Sequence, residues 1–104
     1  MEVSLYELKA LLCGDKPSRP FFVVGKAYIV QTVTHYYTGR CTAFVDHGIE
    51  LSDAAWIADT GRWSEALTKG TLNEIEPMPS AVFIGIGAVV SATEWMFELP
   101  RVKK

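Results

Sequence analysis

Tyr37-Thr38-Gly39-Arg40-Cys41-Thr42-Ala43-Phe44-Val45-Asp46-His47-Gly48-Ile49-Glu50-Leu51-Ser52-Asp53-Ala54 is the stretch on which the fold turns. Cys41, Ala43 and Val45 alternate with Thr42, Phe44 and Asp46, the period-two pattern of a strand with one face against a core. Thr38 and Gly39 just before it offer a bend or bulge. Asp46-His47-Gly48 reads as a tight turn in which Gly48 is free to take positive φ. A further strand then runs from Ile49 and Leu51 through Ala54 and Ala55 to about Ile57. Upstream, Phe21 to Tyr37 is dominated by Val, Ile, Thr, Tyr and Phe, residue types that fit a pleated, half-buried surface, and reads as one long strand. Residues 21–57 thus carry three strands in succession.

Downstream, residues 59–70 read as a short helix. Asp59 or Thr60 is the expected N-cap, Trp63, Ala66 and Leu67 the apolar stripe, and Gly70 the C-terminal glycine. Arg62, Glu65 and Lys69 fall on its water side. Pro77 and Pro79 force an extended approach to the last apolar segment. Residues 81–96 are too long for one strand of a small barrel and hold glycines at 85 and 87, so they read as two strands joined by a tight bend. At the other end Ser4 and Glu7 have capping-box spacing, and Leu5, Leu8, Leu11 and Leu12 follow at helical spacing up to Gly14. Pro17 and Pro20 make the connector to the first strand. Residues 99–104, with Arg101, Lys103 and Lys104, read as a solvated tail. The expectation is one mainly β domain over residues 1–104: an N-terminal helix (1–14), then a five-stranded, strongly bent antiparallel barrel with a short helix inserted between strands 3 and 4.

Composition narrows the function classes. With 104 residues, 49% hydrophobic and 21% charged, the chain is a single folding unit and not a disordered tail. The net charge is −2, and three of the ten cations crowd into the last four residues, so the body is acidic and unsuited to broad phosphate neutralisation. No apolar run is long enough to cross a bilayer and no secretory leader pattern opens the chain, so a cytoplasmic protein without a membrane partner is expected. Two cysteines, Cys13 and Cys41, are too few for a disulfide scaffold or a four-thiolate metal site. No metal or organic cofactor is expected.

The residues also carry a resemblance. Tyr37 to Asp46, followed by Ile49-Glu50-Leu51-Ser52-Asp53-Ala54, looks like the first Sm motif, in which a glycine bends the second strand, an aspartate closes it, and the next aliphatic strand ends in Asp-Ala. Val82-Phe83-Ile84-Gly85-Ile86-Gly87-Ala88-Val89-Val90 is similar to the second motif, which bends about a glycine between the fourth and fifth strands. The likeness covers residues 26–57 and 81–95. It lies nearest to small phage-associated Sm-like (LSm) proteins of unknown function, which share a helical insertion between strands 3 and 4. It implies an Sm-type small β-barrel assembling into a homo-oligomeric ring of about five to seven copies and serving as an assembly or interaction module without catalysis. An RNA-binding ring is the alternative. Two departures count against it: Asp46 is followed at once by His47 and Gly48 where RNA-holding members have a longer polar loop, and Gly85 is flanked by Ile84 and Ile86 where they have an arginine.

For nucleic acid, the candidate contacts are His35, Tyr37, Arg40 and His47: aromatic rings to stack on bases and cations for phosphates. Alternation sends His35 and Tyr37 to one face and Tyr36 to the other, so barrel or subunit packing competes with stacking. Asp46 and His47 are adjacent turn residues that point apart, and no nucleophile, base and electrostatic stabiliser stand together, so no enzyme is expected. Gly85-Ile86-Gly87 is too short for a phosphate-binding fingerprint. Candidates for an oligomer interface are Phe83, Ile84, Ile86 and Val89 on the last strands, with Trp56 and Trp63.

Overall fold

The computed structural model describes residues 21–104; the expected helix over residues 1–14 lies outside them. The elements are β1 (Ala27–Thr32), β2 (Tyr36–Val45), β3 (Gly48–Asp59), α1 (Trp63–Lys69), β4 (Glu74–Pro77), β5 (Val82–Gly85), a 3-10 turn (Ile86–Ala88) and β6 (Val89–Glu94). All pair antiparallel in one open sheet of order β4-β3-β2-β1-β6, with β5 also on β3. The sheet has six strands where five were expected, and it is not closed.

The β2–β3 hairpin is the spine. Its turn has Asp46 at φ 45° and His47 at φ 64°, both left-handed, which is the type I′ geometry whose twist suits an antiparallel hairpin. Positive φ was expected at Gly48 and falls instead on the two residues before it. Gly48 is required for space: a Cβ there would lie 2.2 Å from the Phe83 ring and 2.8 Å from the Ile84 carbonyl oxygen. Midway along the hairpin, a Cβ on Gly39 would sit 2.7 Å from the Leu51 Cβ. Opposite it, β3 carries an extra residue between Ser52 and Ala55, and Asp53 takes φ 49° in that bulge. A second register shift lies between Cys41 and Ala43. Both strands therefore bend at the Gly39 level without breaking.

The expected long strand over 21–37 is two elements. At Val33-Thr34 the chain turns because Thr32 closes on His35: its N–H donates to the His35 carbonyl at 2.7 Å and its hydroxyl accepts the His35 N–H at 2.9 Å. The Thr38–Gly39 bend lies inside β2, which runs unbroken from Tyr36.

β1 lies inside the sheet, between β2 and β6, and is buried on both faces. Tyr28 and Val30 point into one core with Phe22, Cys41, Ile49, Leu51 and Ile84, while Ala27 and Ile29 point into a second with Ala55, Ile57, Ala66, Leu72 and Trp95. The second core is roofed by α1, whose Trp63 ring lies 5.2 Å from Tyr36. The helix begins after Arg62 with no side-chain cap; Asp59 accepts the Gly61 N–H instead of capping. It ends at Gly70, φ 73°, as expected.

Two departures lie downstream of α1. Glu74–Pro77 is a strand, β4, where an extended approach was expected, and it pairs with the far half of β3 while β5 takes the near half. The expected solvated tail is also tied down. Arg101 donates to the Ala54 carbonyl at 2.6 Å and to the Met78 carbonyl at 3.3 Å, and Lys104 exchanges both backbone hydrogen bonds with Ile75 at 2.9 and 3.0 Å.

Thr38 sits between Ile29 and Ala55 in the register, fully buried, and its hydroxyl has no hydrogen-bond partner. A buried hydroxyl without a partner carries an uncompensated desolvation cost. Thr38→Val, which replaces it with a methyl of similar shape, is expected to raise stability by about 1 kcal/mol, read as a higher urea midpoint with unchanged m-value. Trp63→Ala is expected to remove about 2 kcal/mol, less than for a fully enclosed indole because Trp63 is only half-buried. Since that ring packs on its own chain, the loss of melting temperature should not depend on protein concentration; a concentration-dependent loss would place Trp63 between copies.

Candidate functional site

Two features of the described surface stand out. The first is an aromatic cluster where β2 begins. The His35 ring lies 5.8 Å from Tyr37, stacked at 27°, and 5.4 Å from Trp56, tilted at 58°. Tyr37 and Trp56 are direct cross-strand partners, and Thr34 is hydrogen-bonded to His35 Nδ1. Tyr36 points to the opposite face onto Trp63, as alternation requires. Trp56 joins His35 and Tyr37 because the Asp53 bulge resets the β3 register, which residue spacing alone does not reveal.

The other two candidate nucleic-acid contacts stand elsewhere. Arg40 is level with Ala27, and its guanidinium donates to the Gly25 carbonyl at 2.7 Å. His47 is in the turn at the far end of β2, a strand of ten residues and so roughly 30 Å long. His35 and Tyr37 are brought together; Arg40 and His47 are not brought to them. Neither Arg40 nor His47 stands beside these rings to meet a phosphate, so what the cluster offers is stacking.

The second feature is a set of free sheet edges. Among the described residues, β5 pairs only with β3 and β6 only with β1. Phe83 on β5 is 56% exposed, Val90 on β6 is 62% exposed, and Ile86 in the turn between them is also exposed. Of the other interface candidates, Val89 is half-buried, Trp56 is exposed within the aromatic cluster, Ile84 is buried in its own chain's core and Trp63 lies against Tyr36. Phe44 and Val45 are exposed large apolar residues that the sequence reading did not single out. Their alternation marked a strand, but the face left uncovered depends on how far β5 reaches along β3.

The groups for chemistry remain scattered. Among the described residues no three metal-ligating side chains gather, and no helix is long and apolar enough to cross a membrane. Cys41 is fully buried, and desolvation pushes its thiol above the ordinary 9.0, against a smaller opposing effect of the Ala43 backbone. The sign follows from linkage. The unfolded chain loses the Cys41 proton first, so stability is whole below the ordinary thiol value and falls as the pH rises through it. Between pH 8 and 10.5 the stability of the native sequence should therefore drop more than that of Cys41→Ala, measured by urea denaturation at each pH; parallel curves would show a thiol that ionises freely in the fold.

Set beside known proteins, the chain matches no family model and no curated sequence.

Proposed function

We propose that the protein is a homo-oligomeric assembly module whose copies join through the free edges of β5 and β6. The observation that carries this reading is the pair of edges left without a partner among the described residues, each bearing an exposed large apolar side chain, while the outer edge of β4 is covered by the chain's own Lys104. An open edge presents unpaired N–H and C=O groups and is a template for another strand. Placing β5 of one copy against β6 of the next is a head-to-tail contact, which closes a ring when its rotation divides the circle.

The Sm-like reading supplies the shape. β1, β2, β3, β5 and β6 correspond in order to the five strands of such a barrel, with α1 and β4 as the insertion between the third and fourth. The close approach at Gly39, the bulge at Asp53 and the 3-10 turn after Gly85 support it, because they fall on the residues that carry the resemblance. On this reading the strongly bent sheet is a barrel, the ring holds about five to seven copies, and its role is scaffolding without catalysis. The RNA-binding alternative draws support from the aromatic cluster alone; the cations nominated for it, Arg40 and His47, stand apart from His35 and Tyr37.

Light scattering coupled to gel filtration tests the assembly. The expected mass is a fixed multiple of 11.5 kDa, reduced to the single chain by Phe83→Lys together with Val90→Lys, which set charges on both edges without entering a core. A single-chain mass for the native sequence at every concentration would refute it. In parallel, fluorescence anisotropy with oligo-U and oligo-A at low salt should show no saturable binding at tens of micromolar protein; saturable binding would favour the RNA reading.

A further inference from the structure

The outer edge of β4 has a built occupant whose details define a ligand. The segment Arg101–Lys104 runs antiparallel to β4. Lys104 is the full backbone partner of Ile75, Lys103 comes 3.8 Å from Glu76, and Arg101 reaches the Met78 carbonyl. The same guanidinium, at 2.6 Å, takes the carbonyl of Ala54, which lies between the stretch of β3 paired with β5 and the stretch paired with β4. The chain thus presents three recognition elements in one register: two carbonyls for a guanidinium, a carboxylate for an ammonium, and the Ile75 backbone for a strand. Glu74, with Asp59 level with it on β3, extends the negative charge along the same strand.

The occupant is weakly held beyond its arginine. Ile75 and Pro77 have the same parity on β4, and proline has no N–H, so the edge can donate at Ile75 but not again two residues on. Opposite Pro77, Val102 is 77% exposed, and the Lys103–Glu76 pair is exposed and screened by salt. The chain before it is anchored differently: Leu99 packs on the second core and the Trp95 indole donates to the Glu98 carbonyl. Arg101–Lys104 can therefore leave β4 by rotation near Pro100 while everything up to Leu99 stays in place.

We propose that the outer edge of β4 is a strand-addition site for an extended segment of a partner protein bearing arginine and, two residues on, lysine, and that the chain's own Arg101–Lys104 occupies this site as a displaceable strap. Backbone pairing at Ile75 supplies the register, and the Ala54 and Met78 carbonyls favour a guanidinium, whose two nitrogens each take one carbonyl in a fixed planar fork where a lysine offers a single nitrogen. An intramolecular occupant lowers the apparent affinity for an incoming segment by the fraction of time the site is open. Variants that loosen the strap therefore bind more tightly. This site is independent of the β5 and β6 edges, so it stands or falls separately from the assembly reading.

The probe is a fluorescein-labelled peptide with the sequence of residues 100–104 behind a glycine spacer, titrated with the full chain. Arg101→Ala combined with Lys103→Ala in the protein is expected to tighten binding about tenfold relative to the native chain, and alanine in place of the peptide's arginine to weaken it about tenfold. Ile75→Pro should abolish binding, and Glu76→Lys, on a side chain open to solvent, should weaken it in a chain that keeps its melting transition. Hydrogen exchange on the native chain gives a second readout: the Ile75 amide should exchange far faster than those of Ile29 and Val30. Protection of Ile75 equal to theirs would overturn the proposal, as would absence of saturation at millimolar peptide with the loosened variant. Binding that salt removes but Glu76→Lys leaves unchanged would show charge attraction without a site, and would overturn it too.

Discussion

The absence of a side chain at Gly39 is the constraint on which this sheet depends. Any Cβ there would enter the space of the Leu51 Cβ, so the two long strands can approach only where one has no side chain. Close approach on one strand is matched by an extra residue, Asp53 in the left-handed region, on the other. A left-handed non-glycine residue carries a conformational cost, and aspartate is among the residues that tolerate it best. Together the pair curves the sheet. The curve gives β3 two directions, and its outer edge accordingly receives β5 over Gly48–Leu51 and β4 over Ala55–Asp59.

Two apolar faces follow from that geometry. Among the described residues, the core containing Tyr28, Val30, Ile49 and Leu51 is closed by strand residues together with Phe22 and Met78, whereas the core containing Ile29, Ile57 and Trp95 is covered by a helix. α1 supplies the lid with only seven residues, a length that is marginal for an isolated helix in water, so Trp63, Ala66 and Leu67 are held by what they cover. The segment after β6 completes the cover with Trp95, Phe97 and Leu99. The thermodynamic weight of the inserted helix lies in this packing and not in capping, as its uncapped start at Arg62 illustrates.

Much of this was legible from residue pattern. Alternation through Cys41–Val45, the bend at Gly39, the turn at Asp46–Gly48, the helix stop at Gly70 and the break after Gly85 all belong to local chemistry, and each has its counterpart in the fold. What was missed is one local turn without turn residues, and otherwise non-local. The Val33-Thr34 turn contains neither glycine nor proline and is closed by the Thr32 side chain. Pro77 argues against a strand unless its nitrogen faces outward from an edge, and that depends on which residues β3 has left unpaired. Arg101 looked solvated because its partners are backbone carbonyls 23 and 47 residues away. The aromatic cluster was half visible: His35 and Tyr37 share a face by parity, but Trp56 reaches them only through the Asp53 bulge.

The position of β1 between β2 and β6 sets the order in which the molecule is able to form. One edge is satisfied by β2 a few residues later, yet the other waits for β6, as the hydrogen bond between Ser91 and Gln31 across 60 residues of chain makes plain. At ribosomal speeds of about 5–20 residues per second, that wait is roughly 3–12 seconds, during which Ala27-Tyr28-Ile29-Val30 has an unpaired side and an incompletely covered face. The strand that is best protected in the finished fold is therefore the one most exposed to misassociation while the chain is being made.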